Sequence, residues 1–171
     1  AAGTAEEVPT ADAEPPHGAA AQAATAHTDD RPWPDADRVD VSAALERLGG
    51  DPVLYARLAR QFAQSLPQTR SQLDARLGQP ADPELAALLH TLKGTAATVG
   101  AQRLADAAAQ AERAVKAQLA AGDRALPPVP PWWPALADEL AVTADALHRV
   151  LAELQVRGWV PPMDEGAADA A

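Results

Sequence analysis

Between residues 39 and 157 apolar side chains recur at helical spacing, and in the flanking segments they do not. Leu54, Leu58, Phe62, Leu66, Leu73 and Leu77 make one stripe, and Leu136, Leu140, Leu147, Val150, Leu151 and Leu154 make another. The starts are marked as well. Asp51-Pro52 and Asp82-Pro83 each set a capping carboxylate before a proline at the first helical position. These signals predict a short helix from Val41 to Leu48, then a long one from Asp51 to near Gly78. They predict three more: Asp82 to about Val99, Ala101 to Ala120 closing at Gly122, and Pro134 to about Val156. Pro67 is expected to kink or split the long helix. Four substantial amphipathic helices on short connections predict an all-α, antiparallel four-helix bundle with a short extra N-terminal helix.

Composition strengthens that picture. The 171 residues include 44 Ala and 19 Leu but no Ile and no Asn, an inventory that favours helix over sheet. No apolar run approaches the length of a membrane span, and the N-terminus lacks the basic start and apolar stretch of a secretion signal. With no Cys there is no disulfide or thiol chemistry. The formal charge of -10 is concentrated at the ends: residues 1–38 carry a net -6, while 39–155 carry only -2. A nearly balanced body offers no electrostatic footprint for nucleic acid or anionic lipid. Residues 1–38, rich in Ala, Pro and acids, read as a flexible linker, 39–157 as the bundle, and 158–171 as a C-terminal tail.

Chemistry is concentrated in one helix. In Glu84-Leu-Ala-Ala-Leu-Leu-His90-Thr-Leu-Lys93-Gly94-Thr-Ala-Ala-Thr-Val-Gly100, the side chains of Leu85, Leu88, Leu89, Leu92 and Val99 fall on one arc. His90 lies nearly opposite, with Lys93, Gly94 and Ala97 within roughly 60° of it. A histidine there is solvated and unused for packing. The residues around it are small: Ala86, Gly94 and Ala97. Glycine inside a helix costs about 1 kcal/mol relative to alanine, so something besides helix stability favours Gly94. Lys93 is one of only two lysines against twelve arginines, and it sits one turn from the imidazole. An ammonium there suits a phosphoryl group carried on the ring, and it keeps the ring neutral and nucleophilic.

These residues resemble a known signature. His90-Thr-Leu92-Lys93-Gly94-Thr-Ala-Ala-Thr-Val-Gly100-Ala-Gln-Arg-Leu104 is similar to the motif of histidine-containing phosphotransfer (HPt) domains: His-x-Leu-Lys-Gly, small residues, Gly ten after the histidine, and an apolar residue four further on. The stretch Val39-Asp-Val through Leu66-Pro67 is similar to the usual entry into the first long bundle helix. The resemblance implies that His90 is a phosphoacceptor between receiver-domain aspartates, that Lys93 steadies phosphoryl oxygens, and that Gly94 permits a receiver's close approach. Glu112 matches a position where the family often has Gln or Glu, from which it would hydrogen-bond or orient the ring. The residues alone leave Glu112 equally readable as a solvated charge facing Lys116.

No cofactor is expected in this chain, and no glycine-rich nucleotide loop is present, so the chain alone is not expected to use ATP or to be an enzyme. Magnesium would sit on the partner receiver. The expected partners are receiver domains, with no nucleic acid and no membrane contact by this domain, which is expected to be a cytoplasmic monomer. The acidic linker suggests the C-terminal HPt domain of a bacterial hybrid sensor histidine kinase; a free-standing phosphotransfer protein is the next reading. A helical adaptor that docks receivers without being phosphorylated is the alternative from another class. His17, His27 and His148 lack metal-ligand spacing and are read as surface residues. Trp132-Trp133, between prolines, is read as capping one end of the bundle.

Overall fold

The computed structural model describes residues 31–122 and 125–161. They form five helices: α1 (Val41–Arg47), α2 (Pro52–Asp74), α3 (Pro83–Thr98), α4 (Gln102–Ala121) and α5 (Trp133–Val156). Both proline-marked starts are capped as the sequence indicates. The Asp51 carboxylate accepts from the amides of Val53 and Leu54, and that of Asp82 accepts from Leu85 at 2.8 Å. Arg76 then clamps the α2–α3 turn, donating to both Asp82 oxygens at 2.8 Å and to Glu84 at 3.0 Å.

Helix α2 differs from expectation in two ways. It ends at Asp74 rather than near Gly78, and it runs through Pro67 without splitting. Pro67 removes one donor, but Phe62, Ala63 and Leu66 before it and Leu73 after it are buried in the same core, so packing keeps the helix continuous. The buried face is also rotated from the leucine stripe. Tyr55, Ala56 and Ala59 are buried where Leu54 and Leu58 are only half-buried. Alanines count little in a hydrophobic pattern, yet here they let helices approach closely.

The same holds for α4, whose inward face is Leu104, Ala105, Ala108, Ala111, Glu112 and Val115. This slim face lies against α3, and α4 also packs on α5, which in turn packs on α2. The result is the all-α bundle expected, with α1 against α2. Trp133 is buried at the start of α5 with Trp132 edge-on to it, closing one end.

The packed body reaches beyond the expected limits of 39 and 157. Trp33 meets Trp159 edge-on at 5.2 Å between centroids, and the Arg157 guanidinium lies 4.0 Å from the centre of the Trp33 ring. Arg157 also donates to the Pro32 carbonyl at 2.9 Å, Asp35 pairs with Arg149, and Val160 is buried. Residues 31–38 and 158–160 therefore pack as part of the domain; the rest of the linker and tail readings, with His17 and His27, lie outside the described residues. Among the described residues no helix is long and apolar enough to cross a membrane.

Candidate functional site

Helix α3 is held at its end before it presents anything. Gly100 has φ +87°, and its carbonyl accepts from the Asp40 amide at 2.9 Å. A Cβ built on Gly100 would lie 2.4 Å from the Asp40 carbonyl oxygen, so only glycine lets the α3–α4 turn pass so close to the segment entering α1. The buried Tyr55 hydroxyl donates to the Val99 carbonyl at 3.0 Å, satisfying an orphan acceptor at the helix end. Burial pushes the Tyr55 phenol up from its ordinary value, so it stays a protonated donor.

His90 lies mid-helix with its side chain 65% exposed. The apolar arc opposite it is wider than the leucines alone suggest, because Ala86 and Ala96 are buried with them and Ala97 packs against the core. Of the three small residues expected around the ring, only Gly94 stands clear: a Cβ there would meet nothing within 4 Å. Among the described residues, then, none packs closely enough to require glycine at position 94. Thr95 and Thr98 turn their hydroxyls back onto the Thr91 and Gly94 carbonyls, each at 3.0 Å. Between this face and α2 runs a shallow groove with Leu58, Gln61, Phe62 and Ser65 on its α2 side, and none of its lining residues except His90 is titratable.

On the other flank of the ring, α4 supplies a carboxylate. Glu112 is buried, its side chain only 5% exposed, and it binds three groups at once. Its Oε1 accepts from Lys116 Nζ at 2.6 Å and lies 2.9 Å from His90 Nδ1, while Oε2 accepts from Lys93 Nζ at 2.7 Å. The hydrogen bonds from Lys116 and Lys93, with a smaller one from His90, outweigh burial and hold the Glu112 carboxyl down at about 2. Glu112 is therefore ionised at neutral pH and can only accept. Its contact with Nδ1 calls for a proton there, and in the neutral tautomer that leaves the lone pair on Nε2. Lys93 lies 3.4 Å from Nδ1, a long approach to a nitrogen that is already donating elsewhere.

The structure thus brings His90, Lys93 and Glu112 together, with Gly94 beside them on the open face; Glu112 does face Lys116 as the alternative reading had it, but it is buried and not solvated. Lys116 is the residue that sequence reasoning did not count in the site. A signal for both existed: Glu112 follows Ala111 and lies eight residues after Leu104, on the inward stripe of α4, where an ionised side chain requires partners. His148 is exposed on α5. Among the described residues no group of three or more His, Cys, Asp or Glu is placed to hold a metal.

No curated protein and no solved structure matches the chain. The family model of the Hpt domain matches residues 57–155, which takes in all of α3 and α4 and nearly all of α2 and α5. With that match spanning more than half of its length, the chain belongs to the Hpt domain family, the histidine phosphotransfer modules of two-component phosphorelays, which carry phosphoryl groups and have no ATP site of their own.

Proposed function

We propose that His90 is the phosphoacceptor of a phosphorelay intermediate, taking a phosphoryl group from one receiver-domain aspartate and delivering it to another. The observation that carries this reading is the polarity of the ring: Nδ1 faces a buried carboxylate, and the side chain is otherwise solvated. A neutral imidazole with its proton fixed on Nδ1 is a nucleophile at Nε2.

In the transfer step the Nε2 lone pair forms the N–P bond while the P–O bond of the aspartyl phosphate breaks, releasing the receiver's carboxylate. The Nδ1 proton stays in place, so the ring becomes cationic, and the Glu112 carboxylate 2.9 Å away stabilises that charge. A cationic ring bearing a phosphoryl group is a labile carrier, and reversal onto a second aspartate regenerates the neutral imidazole. Lys93 is within reach of the phosphoryl oxygens once it turns outward from Glu112. The open position at Gly94 and the uncharged groove beside it give a receiver room to align its aspartate for in-line transfer. Magnesium and its acidic ligands belong to the receiver in this scheme.

The test is incubation of the chain with a phosphorylated receiver, followed by assay for acid-labile, alkali-stable phosphate. Label on the wild type and none on His90→Gln is expected. Lys93→Ala is expected to slow labelling by roughly tenfold to a hundredfold, the loss of one charge-assisted contact, with helicity unchanged. No label on the wild type, or equal label on His90→Gln, would leave the adaptor reading in possession.

A further inference from the structure

Lys116 lies outside the motif on α3, yet its Nζ makes the shortest polar contact at the site, 2.6 Å to Glu112 Oε1. We propose that Lys116 is a positioning residue that keeps the buried Glu112 carboxylate neutralised while Lys93 leaves it for the phosphoryl group on His90. The inference rests on His90 being the phosphoacceptor and adds to that reading a partner exchange within the site.

Lys93 is committed at rest. Its Nζ is 2.7 Å from Glu112 Oε2, and its long approach to the ring is to Nδ1, the nitrogen turned toward Glu112. The phosphoryl group forms on Nε2, so Lys93 must release the carboxylate before it can meet phosphoryl oxygens. Glu112 cannot follow it or be rescued by solvent, because its side chain is 5% exposed. A buried carboxylate stripped of its counter-charge resists that release.

A second ammonium on the other carboxylate oxygen removes the obstacle. Lys116 reaches Oε1 from one turn along α4, and with its side chain 59% exposed it contributes little to the core. With the ring neutral, Glu112, Lys93 and Lys116 sum to one positive charge. A phosphoryl group brings nearly two negative charges. Lys93 can then pair with the phosphoryl oxygens while Lys116 remains on Glu112 and Nδ1–H continues to donate to it. The α2 side of the groove, with Leu58, Gln61, Phe62 and Ser65, offers no substitute cation. Without Lys116, Glu112 would have no full counter-charge from the moment Lys93 leaves until the N–P bond forms and the ring itself becomes cationic.

Loading with phosphoramidate tests this on the full chain without a receiver surface: its N–P bond breaks, ammonia leaves and the phosphoryl group passes to His90. Lys116→Met is expected to slow loading by about tenfold, and Lys116→Arg to restore it to within about threefold. In a Glu112→Gln background, where no buried charge needs holding, Lys116→Met is expected to have no further effect. Circular dichroism should show the same helicity in every variant. Loading of Lys116→Met at the wild-type rate would overturn the proposal. So would failure of Arg to rescue, or an undiminished Lys116→Met loss in the Glu112→Gln background, which would put Lys116 directly on the phosphoryl group. A wild type that cannot be loaded is a distinct result, because it removes the phosphoacceptor reading itself.

Discussion

Gly94 and Gly100 lie six positions apart in one short motif, and the two glycines answer to different demands. At the α3–α4 corner every group is committed to folding. Gly100 passes against the Asp40 backbone, Tyr55 holds the Val99 carbonyl at 3.0 Å, Arg47 holds that of Ala97 at 2.8 Å, and Val99 and Ala101 are fully buried. A Cβ on Gly94 would meet nothing within 4 Å among the described residues, and Thr95 and Thr98 spend their hydroxyls on their own helix. The corner fixes where α3 lies; the open face is the one proposed above to receive a partner domain. A motif therefore mixes residues that build the fold with residues that leave room on it, and a clash test separates them.

The largest expected effect breaks the corner. Gly100→Ala must place a side chain at φ +87° and displace the Asp40 carbonyl, a backbone atom that cannot swing aside. Strain of the left-handed conformation and the forced shift together should destabilise the domain by about 3 kcal/mol or more. In thermal unfolding that is a Tm lower by roughly 10 °C. A Tm within a degree or two of wild type would mean that the corner is looser than it is drawn here. Any loss of phosphotransfer in this variant should track the unfolded fraction, because the defect is in the scaffold.

The next effect separates the two regions by pH. Glu112 is held ionised down to about 2, below its ordinary 4.5, chiefly by Lys116 and then Lys93. A carboxyl depressed on folding contributes stability that is present in full above the unfolded value and is lost as pH falls toward the folded one. Glu112→Gln should therefore be less stable than wild type at neutral pH, and the deficit should shrink as pH drops from about 4.5 toward 2. The Gly100→Ala deficit is steric and should stay constant over the same window. Urea unfolding of both variants and wild type across that range is the measurement. A Glu112→Gln deficit that does not change with pH would mean that the ion cluster contributes nothing through its charge.

What the chain reveals before folding follows from the range of each interaction. Helix starts at Asp51-Pro52 and Asp82-Pro83 are local hydrogen-bond chemistry and were readable, as were the exposure of His90 and its shared face with Lys93. Pro67 does not split α2, because its local penalty is offset by the buried neighbours on either side. The true face of α2 was hidden by alanines, which carry little hydrophobic weight but determine how near two helices can come. Glu112 remained ambiguous because burial belongs to the α3–α4 pair and neither helix alone displays it. Lys116 was weighed only as a surface partner for the same reason. Trp33, Arg157 and Trp159 are joined only in three dimensions, and no spacing in the sequence links the first to the others.

The smallest effect is the most discriminating, because its two readouts move in opposite directions. Gly94→Ala adds a methyl group to a helix interior where a Cβ meets nothing within 4 Å, so the fold should gain about 0.5–1 kcal/mol from reduced backbone entropy in the unfolded chain. The same methyl stands beside His90 on the face proposed for receiver docking, where a displacement of an ångström would spoil in-line alignment. Transfer from a receiver should then slow by about tenfold even as Tm rises. A purely structural glycine would lose stability and activity together, as Gly100 is expected to. If Gly94→Ala gains stability with no loss of transfer, the open face is not the docking face, and the contrast between the two glycines reduces to one of packing alone.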